Sequence, residues 1–184
     1  MSTDVVADQT GDVNINLAAF DGVWRLAKDE STVLDEQSGE HVKESLTDQK
    51  VEIRTGADGV QTHDTYVQIT PELRIHEQFV IELNDDKWVP YTLLEVDGDP
   101  SHPRLQGGGG QLLKAGLKLG EPSAWLKMTY IDERTTVRVT KNLDGSAQYV
   151  LISRLSEDGN KVSGYLMTPD GKFVINKHLV RESA

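Results

Sequence analysis

Residues 147–181 read AQYVLISRL, SEDGN, KVSGYLM, TPDG, KFVINKHLVR. Three runs of alternating apolar and polar residues, Ala147 to Arg154, Lys161 to Met167 and Phe173 to Arg181, are parted by two short polar turns. Alternation with period two is the mark of a strand with one buried face. The turns carry Asp-Gly, which tolerates the positive φ that tight hairpin turns need. Two consecutive hairpins therefore end the chain, and the reading extends upstream.

Asp-Gly recurs at 58–59, 97–98 and 144–145 as well as at 158–159 and 170–171. Between these marks the same alternation appears at Phe20 to Ala27, Gln49 to Arg54, Val60 to Thr70, Leu73 to Leu83, Lys87 to Val96, Ala124 to Ile131 and Arg134 to Lys141. About eight to ten strands at hairpin spacing predict an all-β, single-domain, antiparallel up-and-down meander. Few of the strands are apolar on both faces, which argues against a parallel sheet. So long a meander must hide its edges, and closure into a barrel does so. Residues 1–18 read as an N-terminal arm and candidate lid, and residues 19–184 as the barrel domain. Residues 29–47 are mixed, compatible with a short helix or an irregular crossing. Residues 97–123 form a long mid-chain loop with one helical pattern at Gln111 to Lys118.

Composition limits the function. The chain has 184 residues, no cysteine and a formal net charge of −11. With no cysteine there is no disulfide scaffold, zinc-thiolate site or cysteine nucleophile. The 19 basic residues are scattered among 30 acidic ones, which leaves no basic footprint for nucleic acid or an anionic membrane. The acidic start lacks the apolar core of a signal peptide, and no run approaches the ~18 apolar residues of a membrane span. A cytoplasmic protein without membrane insertion is expected, its oligomeric state open and a homodimer among the options.

The first strand, Phe20-Asp21-Gly22-Val23-Trp24-Arg25-Leu26, resembles the F-x-G-x-W-(K/R)-L opening of the calycin superfamily, which includes lipocalins and fatty-acid-binding proteins. The resemblance implies a calycin-like barrel with Trp24 plugging its closed end. It also implies a basic residue of the last strand, here Arg181, packing over the indole. Thr129-Tyr130-Ile131-Asp132-Glu133, Val137-Arg138-Val139 and Tyr149-Val150-Leu151 resemble the corresponding segments of plastid lipid-associated (fibrillin) proteins, which are also lipocalin-like. In architecture alone the chain is similar to the small spirotetronate and spirotetramate [4+2] cyclases, some of which cover the barrel mouth with an N-terminal segment.

The strand Leu73 to Leu83 holds the most telling polar residue. Leu73, Ile75, Glu77, Phe79, Ile81 and Leu83 share one parity, so Glu77 stands mid-strand on an apolar face. There its carboxyl is either a ligand-orienting or acid–base group, or half of an internal ion pair, or turned outward by a bulge. His76-Glu77 lacks the second histidine of H-E-x-x-H, because position 80 is Val80, and His41, His63, His76, His102 and His178 are dispersed; no metal site is expected. No G-x-S-x-G elbow is present, and Gly107 to Gly110 lacks the lysine and context of a phosphate loop. No cofactor is expected.

Tyr66, Phe79, Tyr91, Trp125, Met128, Tyr149 and Met167 are the candidate ligand-lining residues, with Glu77 the candidate catalytic group. Two functions follow. One is a shape-templating cyclase, such as a [4+2] cyclase on a linear polyketide-type polyene, whose rate comes from holding one reactive conformer. The other is a non-catalytic carrier of a fatty acid, isoprenoid or other lipid, with Arg138 or Arg154 receiving a carboxylate. Either way the partner is a small hydrophobic molecule.

Overall fold

At Gly171 the chain turns with φ of +83°, and β-strands leave on both sides of it, as the Asp-Gly pattern requires. The computed structural model describes residues 16–82, 86–105 and 118–182. Twelve strands run in chain order: β1 (Gly22–Leu26), β2 (Thr32–Leu34), β3 (His41–Lys43), β4 (Asp48–Thr55), β5 (Val60–Thr70), β6 (Leu73–Glu82), β7 (Val89–Asp97), β8 (Pro122–Asp132), β9 (Thr135–Lys141), β10 (Ala147–Leu155), β11 (Lys161–Met167) and β12 (Phe173–Arg181). Ten of them, β1 and β4 through β12, pair antiparallel in sequence order, and β12 returns to β1 to close the barrel. This is the all-β meander expected from the turns. The mixed segment 29–47 supplies the two remaining strands: β2 and β3 form a hairpin that extends the sheet from β12. A 3₁₀ turn at Lys28–Glu30 separates β1 from β2.

Closure rests on one cross-strand position. Trp24 lies opposite Arg181 and is fully buried. Its indole Nε1 donates to the Phe20 carbonyl at 2.9 Å. The Arg181 guanidinium carbon stands 4.2 Å from the indole centroid. The guanidinium then donates to the carbonyls of Gly159 and Ala19, at 2.9 and 3.0 Å, and to that of Asp21. Each donation satisfies a carbonyl at the barrel's end, and the stacking adds a cation–π attraction. Phe20, Ile53, Tyr130, Leu155 and Val162 pack with Trp24 into one cluster. These residues come from the turn before β1, from β1 itself, from the ends of β4, β8 and β10 and from the start of β11, so the cluster plugs one end of the barrel.

Gly22 makes that plug sterically possible. A Cβ at this position would lie 2.6 Å from Arg181 Nη1, and its φ is +131°. Both facts exclude a side chain where the guanidinium passes.

The other end gathers the longer connections. Leu105, 3% exposed, packs with Ile69 and Leu73. Arg104 fastens this stretch by donating to the carbonyl of Ile69 and to the carbonyl and hydroxyl of Ser45. The first part of the mid-chain loop is thus pinned to the end of β5 and the residues just before β4. The helical pattern at 111–118 falls almost entirely outside the described residues, as do residues 1–15 of the expected lid. The last residues of the arm form a 3₁₀ turn, Leu17–Phe20, at the plugged end. No helix of the described residues is long and apolar enough to cross a membrane.

Gly22→Ala is expected to lower the unfolding free energy by about 2 kcal/mol or more in urea titrations. Gly171→Ala, strained in backbone but with open space around the new methyl, should lower it by only about 1 kcal/mol.

Candidate functional site

Inside the barrel, directly above the plug, lies a cavity of about 150 Å³. Strand alternation decides what lines it. The inward residues of β4, β5 and β6 give Gln49, Val51, Ile53, His63, Thr65 and Phe79. β7 and β8 add Tyr91 and Met128, and β9 adds Thr136 and Arg138. Leu151, Ser153, Val162, Gly164, Lys177 and Leu179 complete the ring, with Phe20 and Trp24 as the floor. The wall is mainly apolar, with a few polar groups at fixed places, as ligand cavities usually are.

The polar groups form two clusters. In the first, the Arg138 guanidinium carbon lies 5.6 Å from the Phe79 ring centroid, 5.5 Å from Tyr91 and 5.4 Å from Tyr149. Arg138 Nη2 donates to the Tyr149 hydroxyl at 3.0 Å. Its Nε has no hydrogen-bond partner among the described residues. Glu77 stands beside this group, close to Tyr91 and Ser123, whose hydroxyl donates to the Tyr91 carbonyl at 2.9 Å. Loss of water pushes the Glu77 carboxyl above its ordinary range, and the positive charge of Arg138 partly opposes that rise. Burial and the nearby carboxylate push the Tyr91 phenol well above 10. The second cluster crosses to β12. Lys177 Nζ donates to Gln49 Oε1 at 2.7 Å and pairs with Glu44 Oε2 at 3.3 Å.

His63 lies between them as a neutral ring. It is 6% exposed, stacks on Phe79 with centroids 4.3 Å apart and pairs through Nε2 with Gln61 Oε1 at 3.1 Å. Desolvation, then the charge of Arg138, lowers its pKa to about 3.

Of the residues picked from the sequence, Phe79, Tyr91 and Met128 line the cavity, and Tyr149 and Glu77 reach its Arg138 cluster. Trp24 is the floor and Arg181 lies on it. Tyr66, Trp125 and Met167 are not in the lining. Tyr66 shares a face with Lys50 and His76, stacking on the latter at 4.2 Å. Trp125 is opposite Lys141, and Met167 follows exposed Tyr165 at a register shift beside Leu166. Arg138 is internal, whereas Arg154 pairs with Thr135 and Asp132 at the strand ends. His63 and Lys177 were not singled out. The signal that drew attention to Glu77 was present for both: each is polar and shares parity with inward residues, Lys177 lying between Ile175 and Leu179. Among the described residues no group of three or more His, Asp or Glu could hold a metal ion.

No known family model matches the sequence, and no curated protein matches it. The fold does match solved structures. An asparagine-to-alanine mutant of the fluorescent protein UnaG superposes with a TM-score of 0.54 at 13% identity, covering 91% of this chain and 99% of that one. Wild-type UnaG gives 0.50 at 14% identity with the same coverage. The likeness is one of fold, a closed antiparallel β-barrel. Trp24 and Arg181 form the plug that the resemblance of the opening strand implied, and Gly22 gives the guanidinium room.

The buried histidine predicts a pH dependence. Between pH 6.5 and pH 3 the unfolded chain binds a proton at His63 that the folded one does not, so stability is full above pH 6.5 and falls as pH drops. From pH 6.5 to 5 this group alone should remove about 2 kcal/mol. Urea unfolding at the two pH values should show a smaller loss, by about that amount, in His63→Gln.

Proposed function

We propose that the barrel holds one compact, uncharged, mainly apolar molecule whose hydrogen-bond acceptor faces Arg138. The observation that carries this reading is the charge arrangement of the interior. Arg138 has Glu77 beside it and Lys177 has Glu44, while His63 is neutral. Each internal cation already has a carboxylate. A ligand carboxylate would add an uncompensated negative charge in a medium of low dielectric, which is costly. An acceptor such as a carbonyl or amide oxygen needs only a donor, and the guanidinium of Arg138 on the cavity wall is one.

Size supports the same reading. Pockets for drug-sized ligands span roughly 300–1,000 Å³. A cavity near 150 Å³ suits a one- or two-ring molecule better than a long acyl chain. It also favours binding over the cyclase expected from the sequence, since a linear polyene must fit whole before it can be templated. The likeness to UnaG supports the fold on which such binding rests.

Isothermal calorimetry with naphthalene-1-carboxamide and with its isostere 1-naphthoate tests the reading at pH 7. The amide should bind at one site, at least about tenfold more tightly than the acid, and Leu151→Trp, which fills the cavity, should abolish its binding. Equal or tighter binding of the carboxylate would overturn the proposal.

A further inference from the structure

Lys177 is placed unlike an ordinary structural lysine. Its side chain is 16% exposed, it faces the cavity from β12, and its partner Glu44 is 3% exposed. Glu44 is held rigidly: Oε1 accepts the backbone N–H groups of Ser45 and Leu46 at 2.7 and 3.0 Å. Its other oxygen, Oε2, is left to face the ammonium. Gln49, itself a lining residue, holds Nζ at the cavity wall. An amine, a fixed carboxylate and an apolar cavity are therefore contiguous.

We propose that Lys177 is a covalent capture site that forms an imine with a small apolar aldehyde or ketone held in the cavity. The inference rests on the compact neutral ligand argued above and names its chemical class. Glu44 takes one proton from the Lys177 ammonium, and the freed amine adds to the carbonyl carbon to give a carbinolamine. The carbinolamine hydroxyl leaves as water with the proton returned through Glu44. The balance is ammonium plus carbonyl to protonated imine plus water. Charge at the site is the same before and after, so Glu44 serves the iminium as it served the ammonium. Burial lowers the Lys177 pKa against the opposing pull of Glu44, which raises the fraction of free amine relative to an exposed lysine. The apolar wall of Val51, Leu151 and Leu179 would shield the imine from hydrolysis.

The test uses cinnamaldehyde as probe and cinnamyl alcohol as its non-reactive counterpart. The full-length protein is treated with the aldehyde and sodium cyanoborohydride, which reduces the imine in place, and the adduct is mapped by peptide mass spectrometry. One adduct at Lys177 is expected, with a yield at least about tenfold above that at any surface lysine. Lys177→Arg, checked for folding by circular dichroism, should remove that adduct alone. Glu44→Gln should shift the near-ultraviolet absorption of the unreduced imine by weakening its counterion. Adducts spread over surface lysines, unchanged in Lys177→Arg, would overturn the proposal. Calorimetry with cinnamyl alcohol separates the two readings. If the alcohol binds but no Lys177 adduct forms, only the imine is refuted; if neither occurs, the cavity reading fails with it.

Discussion

The pairing of Arg181 with Trp24 is the constraint on which the barrel depends. A ten-strand sheet of this curvature has two edges until β12 meets β1, and their register includes this pair. The indole fills the end of the barrel, and the guanidinium seals it by donating to three carbonyls from two segments, Ala19 and Asp21 before β1 and Gly159 between β10 and β11. A lysine could not reproduce this, because it offers no planar face to stack and no fork of donors. Gly22 yields the space the guanidinium crosses. The same indole is also the floor of the cavity, so the closure and the binding volume share one wall.

Above that floor the interior is organised by charge. Burying a cation in an apolar barrel is unfavourable unless a carboxylate accompanies it. Both internal cations obey this, with Glu77 near Arg138 and Glu44 near Lys177. The arrangement keeps the cavity close to neutral while leaving directed donors on its wall. Specificity in such a site comes from where the donors point rather than from net attraction.

Much of the fold was legible because its signals are local. Asp-Gly turns and period-two alternation are properties of neighbouring residues, and they place all ten barrel strands with boundaries close to those observed. The plug was legible through Phe20, Gly22 and Trp24, three residues within a five-residue window, plus a basic residue at the far end. The lining was only half legible, for a physical reason. On β9 the apolar Val137 and Val139 look inward-facing by composition, yet the inward parity holds Thr136, Arg138 and Thr140, and Val139 is exposed. Bulges at His76/Glu77, Tyr91/Thr92 and Leu166/Met167 shift the register, and a one-residue shift exchanges the faces. Elsewhere plain alternation decides: Met128 shares the inward parity of Ala124 and Leu126, while Tyr66 and Trp125 stand on the other face of their strands. The Glu44–Lys177 pair joins residues on either side of most of the chain, so no local pattern announces it.

The β1–β12 ladder joins positions more than 150 residues apart in sequence, as the bond from Arg181 to Ala19 shows. Contacts of such separation form late, because the intervening chain must first be ordered. During synthesis the first strand leaves the ribosome long before its partner exists. Until translation reaches Arg181, Trp24 and the edge of β1 stay uncovered, and the nascent chain carries an unsatisfied strand that neighbouring polypeptides can pair with.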